Sequence, residues 1–393
     1  MSDFIKSDFI KGFIPGNTIL PPEENEEVTL PDLYVSDKKI ILATNDVNDD
    51  SLFLNGLTQN ILVLYQLFEA LGYSSYLLQN GTENPVRKEF LSKYKTISVQ
   101  DLFTLKMSIH IFIEVGMSVQ ESARKYLKSI GAKIIKLYLG NIINIDIETV
   151  HKYPDMFFNH HLVGEIDEVW TSPHYNQHIE YASILNRVTI EDGRIVPYVW
   201  DSCFMTQYCS NLEWIKKDWK LTDFVIMDPN ISFQKCSFYS LLLLEAFAKR
   251  YPEWKGNIHV INGDRLKLCA DTYNFVLPSL KIKDRIVLHN RKKFHTILEE
   301  NRSAYFITHQ WNNDYNYMTL ELLHCNYPVL HNSKGWANYG YHYDINKWEE
   351  AIQTCYKSLT QHNEYAYKTH ANNLIWKHSI HNPMIQKRWR EIL

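Results

Sequence analysis

Cysteine is scarce in this chain of 393 residues. The six cysteines, at 203, 209, 236, 269, 325 and 355, form no Cys-x-x-Cys pair and no metal-type spacing, which argues against a zinc cluster or a disulfide scaffold. Several fall inside apolar segments, as small buried residues of a reducing compartment do. No apolar run approaches the roughly 18 residues of a membrane span, and the N-terminus carries no apolar signal-type segment. The expectation is a soluble, cytoplasmic protein, of a bacterium or of a host cell if viral, with no transmembrane segment. Basic residues are not gathered either. The 41 Lys and Arg are spread among 45 Asp and Glu for a net charge of −4, so nucleic acid is not an expected partner.

Aromatic residues are abundant instead, at 13%, with 25 Tyr and 10 Trp. Ring faces stack on sugar C–H surfaces and amides pair with hydroxyls, so this composition tilts toward carbohydrate, although most rings are expected in the core. The length favours two domains.

Residues 1–37 read as a peripheral arm. Ser2-Asp3-Phe4-Ile5-Lys6 is repeated at once as Ser7-Asp8-Phe9-Ile10-Lys11, and Pro21-Pro22 precedes a glutamate-rich stretch. The arm could dock on the body or on a second copy, which leaves a homo-oligomer open. From residue 38 apolar strands alternate with helical patterns: Lys39–Thr44, Ser75–Leu78, Ser108–Ile113, Lys133–Leu137, Asp167–Thr171 and Arg194–Trp200. After a crossing near 201–220 the pattern restarts with Asp223–Met227, Asn257–Gly263, Arg285–His289, Ala304–Ile307 and Tyr327–Leu330. Such alternation implies α/β architecture with parallel sheets covered on both faces. We divide the chain into 38–205, 206–360 and a helical tail 361–393.

In such units ligands gather where strand ends meet helix starts. Three places stand out. Asn55-Gly56 leads into a helix containing Gln59, and Gly56 would let a ligand approach the backbone. Glu114 lies at the C-terminal end of a central apolar strand, where it could meet an acceptor, act as a base or only cap the next helix; Ser118 with Glu121 three residues on matches a capping box. Lys235 lies just before a helix in the loop after the first strand of the second half, a phosphate-holding position. The densest stretch is His309-Gln310-Trp311-Asn312-Asn313-Asp314-Tyr315-Asn316-Tyr317, a loop of amides, a carboxylate and rings that opens a helix carrying Glu321.

These residues carry a resemblance. Asn230 to Lys235 followed by Leu243-Leu244-Glu245-Ala246-Phe247, then Glu321 followed by Tyr327-Pro328-Val329, resemble the donor site of retaining GT-B glycosyltransferases of the family-four type. Asn55-Gly56-x-x-Gln59-Asn60, Asp167-Glu168-Val169-Trp170, Pro229-Asn230-Ile231-Ser232 and the block from His309 to Ser333 are similar to a little-characterised bacterial and large-DNA-virus group of that fold. The resemblance implies two Rossmann-like domains facing a cleft, an acceptor domain at 38–205 and a donor domain at 206–360, with the tail crossing back. It implies a sugar transfer from a nucleotide-diphosphate donor to the hydroxyl of a glycan or glycoconjugate, with no metal and no cofactor beyond that co-substrate.

The implied roles are these. Lys235 holds the diphosphate and Glu321 the ribose. Asn230, Ser232, His309, Gln310, Tyr315, Asn316 and Tyr317 line the donor. Asn55, Gly56 and Gln59 contribute near phosphates or acceptor, and Glu114, Asn313 and Asp314 are the catalytic candidates. Two family charges are replaced. An arginine stands as Asn230, with Arg285, Arg291 or Lys292 as substitutes, and the first of two glutamates, eight residues before Glu321, stands as Asn313 beside Asp314. Those departures keep two alternatives open: a nucleotide-sugar epimerase or hydrolase, and a non-catalytic nucleotide- or glycan-binding relative. The metal-dependent GT-A type would need Asp-x-Asp, and Asp146-Ile147-Glu148 is the nearest match.

Overall fold

The computed structural model describes residues 38–44, 47, 52–53, 56–79, 92–104, 107–115, 118–152 and 164–393. The arm 1–37, Asn55, Gly116 and the pair His160-His161 lie outside them. The chain forms two units. One comprises residues up to Val199 together with Ser379–Leu393, the other Trp200–His378. The stretch 361–393 is therefore divided: helix Glu364–His378 belongs to the second unit and helix Pro383–Ile392 to the first.

The first unit is built on seven strands, β1 (Lys39–Ala43), β2 (Ser74–Gln79), β3 (Thr96–Ser98), β4 (Ile111–Val115), β5 (Lys133–Tyr138), β6 (Glu168–Thr171) and β7 (Gly193–Ile195). They pair in the order β3-β2-β1-β4-β5-β6-β7, and every pairing is parallel. Central strands buried on both faces need continuous apolar runs, and β1 and β4 supply them, with Ile40, Ile41, Leu42, Ile111, Phe112 and Ile113 wholly inaccessible. Helix Gly56–Ala70 buries Ile61, Leu62, Val63, Leu64, Leu67 and Phe68. The C-terminal helix closes the same core. Trp389 meets Phe68 edge-on at 5.6 Å and Trp170 at 5.7 Å.

The second unit holds β8 (Phe224–Ile226), β9 (Ile258–Val260), β10 (Ile286–Leu288), β11 (Tyr305–Ile307), β12 (Val329–His331) and β13 (Tyr341–His342). Their order is β10-β9-β8-β11-β12-β13, again all parallel. Both sheets thus start in the middle, run to one edge, and return to the other side of the first strand. The reversal falls between β1 and β4 in one unit and between β8 and β11 in the other. In open parallel sheets the loops leaving the strands at such a reversal part and leave a crevice. Among the described residues no helix is long and apolar enough to cross a membrane.

β4 begins at Ile111 and runs through Glu114 to Val115, so Glu114 stands at the C-terminal end of the strand, as expected. One local expectation needs correction. Helix Glu121–Ser129 has Gln120 at its N-cap with no side-chain cap bond. Ser118 Oγ instead accepts from Lys136 Nζ, and the capping box does not form.

Candidate functional site

The reversal point of the second sheet gathers the loops after β8, β11 and β12. Asp228, two residues beyond β8, is wholly buried and joins two of them. Its Oδ1 accepts from Thr308 Oγ1 at 2.8 Å and Gln310 Nε2 at 2.7 Å, and its Oδ2 accepts from the His309 amide at 3.1 Å. Burial raises its carboxyl to about 7, against these three donors and the nearby Lys235.

Gln310 is spent on structure. Its amide donates to Asn332 Oδ1 at 2.9 Å and its carbonyl accepts from Asn332 Nδ2 at 2.8 Å. The Asn332 side chain so imitates a peptide group and prolongs the β11–β12 pairing past the strand ends. The Gln310 Oε1 accepts from Asn313 Nδ2 at 2.8 Å, which orients Asn313.

The loop after β8 is a closed turn. Asn230 sits in the left-handed region at φ 55°, where asparagine is among the few tolerated non-glycine residues. Its Oδ1 accepts from both the amide (2.9 Å) and Oγ (2.8 Å) of Ser237, and its own amide bonds the Lys235 carbonyl at 3.0 Å. Ser232 Oγ accepts the Gln234 amide at 3.1 Å. An arginine side chain has no acceptor for the two Ser237 bonds, which gives Asn230 a reason in the loop itself. The Trp311 amide donates to the Gln234 carbonyl at 2.9 Å, so the two loops are stitched edge to edge.

Lys235 emerges from this turn just before the 13-residue helix Phe238–Arg250. It is half-buried. Its ammonium makes no ion pair or hydrogen bond among the described residues, and burial lowers it against the pull of Asp228. A helix start leaves N–H groups without intrahelical partners, so cation and amides share one anion-binding corner.

His309 is wholly buried and stacks on Tyr239 at 3.8 Å between centroids. The phenol of Tyr343 donates its proton to the Thr308 carbonyl at 2.9 Å. The 3.1 Å contact between Tyr343 and His309 Nδ1 therefore needs the proton on Nδ1. His309 Nε2 is left as a bare acceptor, buried and without a partner. Burial pushes the imidazole down to about 3, so it is neutral at ordinary pH. Gln234 Nε2 and Ser333 Oγ on the adjoining loops are also buried and unpartnered. Each such group costs roughly 1–3 kcal/mol if nothing satisfies it.

The rest of the expected set is distributed otherwise. Asp314 lies half-buried in the loop. Asn316 caps helix Tyr317–His324 by accepting the Met318 amide at 3.2 Å. Tyr315 stacks on Trp336 at 5.0 Å. Tyr317 and Glu321 are buried on that helix. Arg285 lies at the opposite end of β10 from the site loops, over the Trp254 ring at 4.3 Å, and donates to the carbonyls of Trp254 (3.0 Å) and Gly256 (3.2 Å). Lys292 pairs with Glu300. Neither is placed as the substitute for the replaced arginine. Arg291 follows the C-terminal end of β10 and is exposed.

Glu114 is corrected by its register. Glu114 stands beside Lys136 on the neighbouring strand. Its Oε2 meets Lys136 Nζ at 3.1 Å and Arg124 Nη2 at 2.6 Å, its Oε1 takes Arg124 Nε at 2.8 Å and the Val119 amide at 3.1 Å, and all three charged side chains are buried. Burial would raise the carboxyl, but Lys136 and Arg124 outweigh it and hold it below the usual range. With both oxygens committed, Glu114 is not placed as a base. Gly56 opens the helix Gly56–Ala70 with open space where a Cβ would be, and Gln59 is buried on it. Asp146 and Glu148 lie inside helix Ile142–Lys152, with Asp146 accepting from the Tyr181 hydroxyl at 2.7 Å. Among the described residues no group of three His, Cys, Asp or Glu is arranged to hold a metal ion.

Sequence reasoning missed Asp228 and Asn332, the two residues that fasten the loops. The signal available was a polar side chain just beyond each apolar strand. Trp311, quoted in the 309–317 stretch but given no role there, is 40% exposed.

No curated protein matches the chain in sequence. Solved structures do match in fold. A glycosyltransferase from Rickettsia africae ESF-5 superposes with a TM-score of 0.55 at 11% identity, over 91% of this chain and 98% of that one. The pneumococcal O-GlcNAc transferase GtfA in complex with UDP and GlcNAc gives 0.53 at 7% identity, over 91% and 98%. An E. coli trehalose-6-phosphate protein bound with UDP-2-fluoro glucose gives 0.53 at 12% identity, over 90% and 98%. The fold is the GT-B fold of glycosyltransferases, two parallel-sheet Rossmann-like halves with C-terminal helices. By its match to the family model over residues 41–393, the chain belongs to the family described as Protein of unknown function (DUF2827).

Proposed function

We propose that the protein is a glycosyltransferase that takes a sugar from a nucleotide-diphosphate donor to an acceptor hydroxyl. The observation that carries this reading is Lys235: a half-buried ammonium with no ion pair or hydrogen bond among the described residues, at a helix start, at the reversal point of the second sheet. The neighbours' bound UDP and UDP-sugar analogue support a ligand of that class.

In this mechanism Lys235 and the first-turn N–H groups of Phe238–Arg250 hold the departing diphosphate with fixed charge and no metal. Glu321 takes the ribose hydroxyls. Asn313, held by Gln310, and Asp314 face the sugar, and we assign transfer with retention on the resemblance to the family-four type. The donor side belongs to the second unit. The acceptor is a glycan or glycoconjugate.

Release of nucleoside diphosphate from a panel of nucleotide sugars tests the proposal. Turnover that depends on an added acceptor and falls in Lys235→Ala supports it. The amide at Asn313, where a carboxylate would be expected, favours a second reading of binding without transfer. That reading gives donor binding with no release under any acceptor.

A further inference from the structure

Trp311 is an exposed indole on a pinned backbone. Its amide is tied to Gln234, its predecessor His309 is two residues away and buried, and Asn312 after it is left-handed at φ 47°. The indole meets the His309 imidazole edge-on at 5.0 Å. Phe233, next to Gln234 on the partner loop, is 46% exposed. Trp311 and Phe233 are thus exposed rings on two loops joined by that backbone bond.

The polar groups of these two loops are selective. His309 Nε2 can only accept, because Nδ1 carries the ring proton. A phosphate oxygen has no proton to offer it at neutral pH, but a hydroxyl does. Gln234 Nε2 can only donate, and a hydroxyl oxygen can take that bond. An exposed aromatic ring beside a bare acceptor, with a bare donor on the adjoining loop, suits a hydroxylated ring.

Resting on the glycosyltransferase reading, we infer that Trp311 and His309 form a sugar-ring subsite distinct from the Lys235 phosphate corner. The ring stacks on the Trp311 indole and one of its hydroxyls donates to His309 Nε2. Nε2 lies beneath the surface, so the hydroxyl reaches it as the exposed indole shifts, and binding is coupled to the Trp311 environment. The ring is that of the transferred sugar or of an acceptor glycan, which share this chemistry.

The test compares wild type with Trp311→Ala and His309→Phe, the latter keeping a stacked ring in place of the imidazole. Affinity is measured for a nucleoside diphosphate, for its nucleotide sugar and for free glycans on an array. A donor-side subsite makes the nucleotide sugar bind wild type more tightly than the diphosphate. Both variants then lose that gain by about tenfold, the scale of one hydrogen bond and one stacking contact, while diphosphate affinity holds. An acceptor-side subsite shows the same loss on the glycan array alone. The inference is overturned if neither sugar signal changes in Trp311→Ala, or if diphosphate affinity falls in step with the sugar. Absence of nucleotide binding in wild type would defeat the donor reading, and the array would still decide the subsite.

Discussion

Asp228 and Gln310 are joined by a 2.7 Å hydrogen bond from the Gln310 amide nitrogen to a wholly buried carboxylate oxygen. That bond fixes the loop after β11 to the end of β8, and the rest of the candidate site hangs on it. Asn313 is oriented by Gln310, Lys235 lies in the field of Asp228, and Asn332 closes the third loop around the same glutamine.

Asp228 makes stability depend on pH with a defined sign. Its folded carboxyl titrates at about 7, above the ordinary range, because burial disfavours the charge. A raised carboxyl adds stability that is full below about 4 and is lost as pH rises toward about 7. Asp228→Asn removes this titration. We expect the wild type's advantage in melting temperature over the variant to fall from pH 5 to pH 8. Parallel profiles from pH 5 to 8 would refute the assignment.

Glu114 neutralises two buried cations; burial, with the Arg124 charge beside it, brings Lys136 down to about 8 against the pull of Glu114. Glu114→Ala leaves Arg124 and Lys136 buried without their partner, a loss on the order of 3–5 kcal/mol. Urea unfolding should show a large drop in midpoint, whereas Glu121→Ala, at an exposed i,i+4 pair with Lys125, should barely move it. Full stability with lost turnover in Glu114→Ala would restore a catalytic role.

Trp389 anchors the last helix to the core of the first unit, 1% exposed against Phe68 and Trp170. Trp389→Ala should cost about 3–5 kcal/mol in chemical denaturation. Met384, 64% exposed on the same helix, should tolerate alanine with little change. Equal effects at the two positions would mean the helix is not packed as described.

Much of the fold was legible because parallel strands buried on both faces must be apolar throughout, as at 39–43, 111–113 and 305–307. The short edge strands β3 and β13, three and two residues long, carry no such run and were missed. The ion pairing of Glu114 was not legible because its partner Lys136 is 22 residues away and becomes adjacent only through strand register. Lys235 and the 309–317 loop could be singled out, since a cation before a helix and a loop dense in amides are local signals. Asp228 and Asn332 showed only as polar side chains beyond apolar strands, and their partners, like the bare Nε2 of His309, are set by what the third dimension supplies or withholds.

The most direct test of a nucleotide-diphosphate site on the second unit is thermal unfolding with UDP-, GDP-, dTDP- and ADP-sugars, on wild type, Lys235→Ala and Glu321→Ala. A ligand that binds only the folded state stabilises it by about 2.7 kcal/mol at one hundred times its dissociation constant. We expect a clear rise with one nucleotide series and its loss in both variants. No rise with any nucleotide sugar, or an undiminished rise in both variants, would contradict the site.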